Sequence, residues 1–318
     1  NLTQAPRQNI AIAGETGSGK TTLLKIIAGL VQPDNGEIMF RNQKVIGPAD
    51  KLIPGHKGIV YLSQDFRLPH FLRVEQILEY ANEWPIEKAD KLFSLCRIKH
   101  LFKRRTDELS GGEQQRIAIA RLLIMDPRLF LLDEPFSNMD PANKDLLKNI
   151  IEDIGNEFHM SFIMISHDPV DTLPWANEII VMKEGRIIEK NSPAQIYSTP
   201  SYAYTASLFG DYNIIPDQLL SSEKIALPNP GHQSLVRPEK CVIVASSTPS
   251  TNANGDANIK NFQLKGTVRA VRYFGHYVET DLMVGEFPFI TRSQVAILNP
   301  GSEATIGINN ADIQTVRI

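Results

Sequence analysis

The sequence has 318 residues, enough for about two domains of ordinary size. Hydrophobic residues make up 42% and charged residues 22% of the chain, close to the averages of globular proteins, which argues against disorder. A formal net charge of -3 leaves no surplus of Lys and Arg, so a nucleic-acid surface and a polybasic membrane anchor are both disfavoured. The cysteines, Cys96 and Cys241, lack metal or redox spacing and predict reduced thiols in a cytosolic protein. No apolar run approaches the roughly 18 residues that span a bilayer, so we expect no membrane crossing.

The first elements along the chain are a strand, a glycine-rich turn and a helix. The strand, over 9–13, comes so early and without an initiator Met that we expect a shortened N-terminus. The helix covers 20–30, and short strands follow near 37–40 and 59–62. Apolar residues at helical spacing then predict a helical stretch over 74–104.

Two further pairs of strand and helix follow. Strands at 129–132 and 162–165 are succeeded by helices at 142–158 and 168–176. Strands that alternate with helices predict an α/β fold with a mostly parallel sheet covered on both faces.

The composition changes after about Asp211. Proline and glycine interrupt a segment without sustained periodicity, which predicts a linker over 213–233. Short strands and few helical signals then predict a small all-β domain over 234–318. Inside it, the stretch 246–261 is rich in Ser, Thr, Asn and Gly and predicts a mobile loop.

The first chemical motif is a glycine-rich loop between the first strand and the first helix, matching the pattern G-x-x-x-x-G-K-[ST]. Backbone N–H groups of such a loop attract phosphate, Lys20 can reach the terminal phosphates, and Thr21 can ligate Mg²⁺. A glycine turn without function is the alternative, which the strand and helix context disfavours. The residues expected at the nucleotide are Gly14, Glu15, Thr16, Gly17, Ser18, Gly19, Lys20, Thr21 and Thr22.

The second motif is the apolar run 129–132 followed by Asp133 and Glu134. It brings two carboxylates to the C-terminal edge of a parallel sheet, where ligands bind. Asp133 is suited to hold Mg²⁺ through water, and Glu134 is suited to take a proton from an attacking water. Alone, this pattern is often a solvated strand end; beside a phosphate loop it indicates a catalytic pair.

The most specific motif is the run Leu109-Ser110-Gly111-Gly112-Glu113-Gln114-Gln115-Arg116, and through it the sequence resembles the ABC ATPase family. Ser110 and Glu113 also form a capping box, but the full run exceeds what a helix cap requires. The resemblance implies a P-loop NTPase core with a helical subdomain inserted at about 65–124, and ATP as the nucleotide. It further implies that Ser110, Gly111, Gly112 and Glu113 face the phosphate loop of a second copy, so that two copies sandwich ATP.

Three single residues take their interpretation from the same resemblance. Gln64 corresponds to the glutamine that approaches Mg²⁺ and the attacking water and links the site to the membrane subunit. Asp140, in the stretch 137–140, corresponds to a residue of the dimer-contact loop that communicates between the two sites. His167 corresponds to the histidine that senses the γ-phosphate. The expected catalytic set is therefore Lys20, Gln64, Glu134 and His167, with Thr21, Gln64 and Asp133 at the metal.

One family feature is absent from the sequence. Members usually stack an aromatic ring on adenine from a strand before the phosphate loop, whereas the first aromatic residue here is Phe40. Either the ring lies in residues missing from the N-terminus, or adenine is held less specifically.

The C-terminal part resembles the transport-associated OB-like domain of solute importers, through Val236-Arg237-Pro238-Glu239 and the segment 266–275. This implies an ATPase domain over 1–212 and an OB-like domain over 234–318, in an ATP-hydrolysing subunit that energises import. An exporter ATPase and a non-hydrolysing regulatory subunit are the alternatives. The OB-like domain either binds a regulatory ligand or only stabilises a dimer.

The implied partners are a second copy of the chain, transmembrane permease subunits and, indirectly, a solute-binding protein, with no nucleic acid. We expect a cytoplasmic protein that lies peripherally on the inner face of the cell membrane. The solute cannot be derived from this chain, because the permease and the binding protein select it.

Overall fold

The computed structural model describes residues 2–66, 68–137, 139–222, 225–244, 261–294 and 298–318. The chain forms two compact units, Asn1–Pro193 and Ala194–Ile318. This division lies upstream of the limit expected at residue 212. The domain ranges 1–212, 213–233 and 234–318 remain a prediction.

The N-terminal unit contains a large sheet, a small hairpin and six helices among its described residues. Its strands are β1 (Asn9–Ala13), β2 (Met39–Phe40), β3 (Gln43–Lys44), β4 (Ile59–Leu62), β5 (Leu129–Asp133), β6 (Ser161–Ile165), β7 (Glu178–Lys183) and β8 (Arg186–Asn191). Its helices are α1 (Lys20–Ile27), α2 (Val74–Ala81), α3 (Ile86–Leu95), α4 (Gly111–Leu123), α5 (Pro141–Phe158) and α6 (Pro169–Thr172).

The large sheet has six strands in the order β4-β5-β6-β1-β7-β8. The first five strands in this order are parallel, and β8 is an antiparallel edge strand on β7. The hairpin of β2 and β3 is separate from it. The expectation of an α/β fold with a mostly parallel sheet is confirmed.

Successive residues of the buried strands face two separate cores. On β5, Leu129 and Leu131 pack with α1, whereas Phe130 and Leu132 pack with helices of the other face. Because side chains alternate along a strand, the next residue, Asp133, turns to the α1 side. This alternation determines where the polar residue at the strand end points.

The helix α5 packs one apolar stripe against the core on the face of the large sheet opposite α1. Leu147, Ile150, Ile151 and Ile154 are buried at the spacing of one helix face. Asp140 caps the helix, and Pro141 occupies its first turn, where a missing N–H costs nothing.

The helical part between β4 and β5 differs from the expectation in one respect. The stretch expected over 74–104 consists of α2 and α3, followed by a short 3-10 turn at Lys99–Leu101. Pro85 stands at the N-cap of α3, where a residue without N–H can start a helix but cannot continue the preceding one. The break between the two helices therefore has a local cause.

The C-terminal unit is mostly antiparallel β-structure. Its helices are α7 (Pro193–Ser198), which begins at the division, α8 (Ala203–Leu208) and α9 (Asp217–Ser222). Its strands are β9 (Asn213–Ile215), β10 (His232–Val236), β11 (Cys241–Val244), β12 (Asn261–Tyr273), β13 (Val278–Val284), β14 (Phe287–Ser293), β15 (Glu303–Asn309) and β16 (Gln314–Arg317).

Two antiparallel sheets make up this unit, with strand orders β16-β10-β9 and β11-β15-β12-β13-β14. The edge strands β11 and β14 of the larger sheet approach each other, so the sheet curls into the expected OB-like form. The segment expected as a linker contributes β9, which pairs with β10. The predicted loop at 246–261 lies outside the described residues, apart from Asn261, which begins β12.

Within the described ranges, every helix is too short or too polar to cross a bilayer.

Candidate active site

A glycine-rich loop joins β1 to α1. Gly17 and Gly19 have φ angles of 85° and 94°, in the left-handed region that favours glycine, and Gly19 stands at the N-cap of α1. A Cβ atom on Gly14 would collide with the carbonyl oxygen of Met182 on β7. The close approach and the left-handed turns explain the glycine pattern of the motif.

Lys20, the first residue of α1, folds back onto this loop. Its Nζ donates hydrogen bonds to the carbonyl oxygens of Gly14 and Glu15, both at 2.7 Å, and to Ser18 Oγ at 3.3 Å. Burial lowers the pKa of Lys20, while the negative charges of Glu134, Asp133 and Glu15 oppose that shift. The ammonium group therefore lies within the loop and in the field of Asp133, at the end of β5, and of Glu134, which follows it.

Oxygen atoms gather at the end of β5 on the α1 side. Thr21 Oγ1 donates a hydrogen bond to Asp133 Oδ1 at 3.1 Å, and the hydroxyl of Tyr61 donates to Asp133 Oδ2 at 2.7 Å. Mg²⁺ prefers oxygen ligands and binds through one or two carboxylates while keeping several waters. A buried carboxylate beside a threonine hydroxyl therefore fits the expected metal.

Tyr61 was missed by the sequence analysis. Its neighbours on β4, Val60 and Leu62, pack into the core of the opposite face, so alternation turns Tyr61 toward the α1 side and Asp133. Burial, and then the hydrogen bond to Asp133, raise the pKa of Tyr61, so the phenol keeps its proton and remains a donor. The alternation of side chains along β4 could have indicated the face of the sheet on which Tyr61 lies, but not its partner Asp133.

The backbone turns sharply at Glu134, directly after β5. Glu134 has a φ angle of 47°, a left-handed value that is uncommon for a residue with a side chain. Its N–H donates to the carbonyl of Ile165 at 3.1 Å, and its own carbonyl accepts from the N–H and the hydroxyl of Ser137 at 3.2 and 2.9 Å. These bonds hold a conformation that points Glu134 away from Asp133.

A cavity of about 260 Å³ lies beside Glu134. Glu134 Oε2 is 3.6 Å from His167 Nδ1, and Gln64 Nε2 is 3.5 Å from Ser137 Oγ. The structure therefore brings three expected catalytic residues, Gln64, Glu134 and His167, to one cavity. Its lining is completed by Phe136, Ser137, Lys144, Ser166, Asp168 and Asp171.

The signature residues form the start of α4. Ser110 Oγ accepts a hydrogen bond from the N–H of Glu113 at 3.4 Å, and Glu113 Oε2 accepts from the N–H of Ser110 at 2.9 Å. That backbone bond is the main cause that lowers the pKa of Glu113. Space is open beside Gly111. Among the described residues, none of the signature lines the cavity at Glu134.

Two bonds place the neighbouring segments. The buried side chain of Gln115 on α4 donates to the carbonyl of Pro135, the residue after Glu134. Asp140 Oδ1 accepts from the N–H of Asn143 at 3.1 Å, so this carboxylate caps α5. The contact with Asn143 lowers the pKa of Asp140. Within a single copy of the chain, Asp140 therefore acts as a helix cap. Asn138 of the same loop lies outside the described residues.

Two family profiles match the chain. The ABC transporter profile matches residues 1–137, and the TOBE domain profile matches residues 234–316. A solved structure similar to this chain is the ATP-binding cassette MJ0796, a dimer in a post-hydrolysis state bound to ADP and Pi. It shares 25% identity at a TM-score of 0.52, over 61% of this chain and 88% of that one.

Several relatives match over most of the chain. An Fe(3+) ions import ATP-binding protein of Pectobacterium atrosepticum is 31% identical, over 93% of this chain and 91% of the relative. A sulfate/thiosulfate import ATP-binding protein of Mesostigma viride is 32% identical, over 87% of this chain and 80% of the relative. The ABC transporter profile precedes the TOBE domain profile along the chain, in the same order as the two sets of motifs in the sequence. The chain therefore belongs to the ABC transporter family, among its import ATP-binding subunits.

Proposed function

We propose that this ATPase subunit energises solute import by hydrolysing ATP at a site shared between two copies of the chain. The observation that carries the proposal is the divergence of two adjacent carboxylates. Asp133 bonds to Thr21 of the phosphate loop, whereas Glu134 turns to the cavity with His167, 3.6 Å from its Nδ1. One carboxylate is thus available for a metal and the other for a proton.

The residues of the chain divide the reaction between them. Lys20 and the N–H groups of the loop Gly14 to Thr22 bind the β- and γ-phosphates. Glu134 accepts the proton of the water whose oxygen attacks the γ-phosphorus, as the bond to the bridging oxygen of ADP breaks. His167 holds the γ-phosphate and the water in line with Glu134.

The metal site of this proposal consists of Thr21, Gln64 and Asp133, with Asp133 acting through water. Mg²⁺ bound there would neutralise the charge of the phosphate oxygens. Thr21 Oγ1 and Asp133 Oδ1 lie side by side and are both oxygen atoms that can ligate a metal, which supports this assignment.

We assign the signature residues Ser110, Gly111, Gly112 and Glu113 to the nucleotide of the opposite copy. Their support is the accessible start of α4, where N–H groups and the helix dipole favour a phosphate. The dimeric state of the cassette MJ0796 is consistent with this arrangement. Asp140 would then carry information between the two sites.

Gln64 would couple the site to a transmembrane permease, since its side chain is exposed beside the cavity. The subunit would lie on the cytoplasmic face of the cell membrane, and a solute-binding protein would deliver the solute to the permease. The import-type relatives, together with the OB-like C-terminal unit, favour this reading over an exporter ATPase. The intact set of Lys20, Asp133, Glu134 and His167 disfavours a non-hydrolysing subunit.

The test is the substitution Glu134→Gln, which keeps the shape of the side chain and removes its basicity. We expect turnover to fall by about 100-fold or more, the contribution of a general base, while ATP binding is retained. Phosphate release measures turnover, and light scattering with Mg²⁺ and ATP measures dimer formation. Glu152→Gln, at an exposed position of α5, is the matched control. Full turnover by the Glu134 variant would show that the base is a different residue.

A further inference from the structure

Two lysines of α5 reach the segment that follows β6. Lys144 Nζ is 2.6 Å from Asp168 Oδ2 and 2.8 Å from Asp171 Oδ1. Lys148 Nζ is 2.8 Å from the same Asp171 oxygen. Together with Ser166, these residues form what we call the α5 lysine cluster: Lys144, Lys148, Ser166, Asp168 and Asp171.

The cluster is balanced in charge and partly removed from water. The side chain of Asp171 is only 3% exposed, and those of Lys144 and Lys148 are 21% and 25% exposed. A buried carboxylate is tolerated when cations and hydrogen bonds compensate it, and here two ammonium groups and the Ser166 hydroxyl do so. Burial lowers the pKa of Lys144, but its contacts with Asp168 and Asp171 outweigh that effect and raise the pKa, so the group is charged at neutral pH.

The cluster fixes the backbone on both sides of His167. Ser166 Oγ donates to Asp171 Oδ2 at 3.1 Å and accepts from the N–H of Asp168 at 3.2 Å. Asp168 Oδ1 accepts from the N–H of Val170 at 2.9 Å, which leaves Oδ2 to Lys144. The His167 side chain itself is 71% exposed. Its position at the cavity therefore depends on neighbours that are held in place.

The same cluster connects His167 to the start of α5. Lys144 lies in the first turns of that helix, and its N–H donates to the carbonyl of Asp140 at 3.0 Å. A shift of the start of α5 would move Lys144. Through Asp168 it would also move His167, the residue before Asp168. Asp140 and His167 are thus joined by one helix turn and one ion pair.

We propose that Lys144 is a positioning residue for ATP hydrolysis, which holds His167 opposite Glu134 through Asp168 and ties that geometry to Asp140. The inference rests on the proposed function, because it assigns a supporting residue to the same site. Lys144 does not contact the nucleotide in this mechanism. Its effect is on the alignment of His167 and Glu134.

Lys148 provides a matched control on the same helix. It lies one turn beyond Lys144 and contacts the same oxygen of Asp171, and among the described residues it also donates to the carbonyl of Val170 at 3.4 Å and lies over the ring of Phe136 at 5.7 Å. Each substitution by Met removes one positive charge from beside Asp171. Both lysines act on Asp168 through their charge, but loss of the direct hydrogen bond to Asp168 is specific to the change at Lys144.

The experiment compares Lys144→Met, Lys148→Met and Lys144→Arg in the full chain. We expect Lys144→Met to lower kcat for ATP about tenfold with the KM for ATP changed less than about twofold, because alignment and not binding is lost. Lys148→Met should keep kcat within about twofold of the parent. Its loss of thermal stability should be similar to that of Lys144→Met. Lys144→Arg should restore most of kcat, since Arg keeps the charge and the reach.

A second variant guards against a general loss of structure. Asp168→Asn removes one of the two anionic partners of Lys144 and leaves its pair with Asp171, and we expect the same loss of kcat as for Lys144→Met. The double variant Lys144→Met/Asp168→Asn should have a kcat no lower than that of either single variant. Equal kcat losses for the two lysine variants, or additive losses in the double variant, would overturn the inference. A parent chain that releases no phosphate from ATP would instead overturn the proposed function.

Discussion

Each unit of the molecule contains a buried cation held by backbone carbonyl groups. In the N-terminal unit, Lys20 is 8% exposed and bonds to the carbonyls of Gly14 and Glu15. In the C-terminal unit, Arg237 is 5% exposed. Its guanidinium donates to the carbonyls of Tyr197, Ala206, Gly210 and Asp211.

The difference lies in where those carbonyl groups belong. The partners of Arg237 lie in the last turns of α7 and α8 and just beyond α8, where carbonyls lack the regular N–H partner of a helix interior. The carbonyl of Ala206 also accepts from the N–H of Phe209 at 3.3 Å. Arg237 also stacks on the ring of Tyr197 at 4.5 Å. Its rigid fork completes two helix ends and is not free to leave them.

Lys20, by contrast, is held by a glycine loop that adjoins two carboxylates. A flexible ammonium group can exchange loop carbonyls for phosphate oxygens, which form stronger charge-assisted bonds. Burial and carbonyl contacts therefore do not by themselves mark a site. The partners of the cation decide whether it binds a ligand or stabilises the fold.

The largest effect that separates the two cations is expected for Lys20→Met. Nucleotide affinity should fall by about 30-fold or more, because charge-assisted bonds to the terminal phosphates are lost. The melting temperature of the nucleotide-free chain should change by less than about 3 °C. Titration with a fluorescent ATP analogue and thermal denaturation measure the two quantities.

Lys25→Met is the control for this prediction, because Lys25 lies in the last turn of the same helix and not in the loop. An Lys20 variant that melts far below the parent but binds nucleotide normally would reverse the comparison. Lys20 would then be the structural cation.

The change Arg237→Met should have the opposite profile. Several carbonyl groups lose their donor, at a cost of about 3 kcal/mol, so the melting temperature should fall by roughly 5 °C or more. Nucleotide affinity should not change. Arg317→Met is the control, since Arg317 lies over a tyrosine ring at 5.7 Å but is exposed. Unchanged stability of the Arg237 variant would contradict its structural role.

The sequence predicted the parts of the site that local motifs encode. The order of strand, glycine loop and helix placed Lys20 and Thr21, and a strand followed by two acids placed Asp133 and Glu134. Such motifs are informative because one short segment contains both the turn geometry and the chemistry. The alternation of strands and helices also predicted the parallel sheet.

What the sequence did not provide depends on pairing across the fold. Tyr61 meets Asp133 only because β4 lies beside β5 with Tyr61 opposite Leu131. Lys144 meets Asp168 only because α5 packs near the end of β6. Strand order and helix packing are set by long-range contacts, which a motif does not contain. Arg237 was identified within a family motif, but its carbonyl partners were not.

The smallest effect, and the finest distinction, is expected for Tyr61→Phe. The change removes the donor to Asp133 Oδ2 and leaves the bond from Thr21 to Oδ1. A less restrained carboxylate should bind the hydrated metal more weakly, so the Mg²⁺ concentration for half-maximal ATPase activity should rise by about three- to tenfold. ATP affinity without Mg²⁺ should stay within about twofold, and calorimetry with and without Mg²⁺ separates the two effects.

Tyr80→Phe is the matched control, because the Tyr80 side chain is 78% exposed on α2. If Tyr61→Phe lowers the melting temperature without moving the Mg²⁺ dependence, its hydroxyl belongs with Arg237 as a structural donor. If instead the Mg²⁺ dependence moves alone, Tyr61 belongs with Lys20. Its partner, Asp133, is the carboxylate that we propose for the metal, and on that ground we expect the second result.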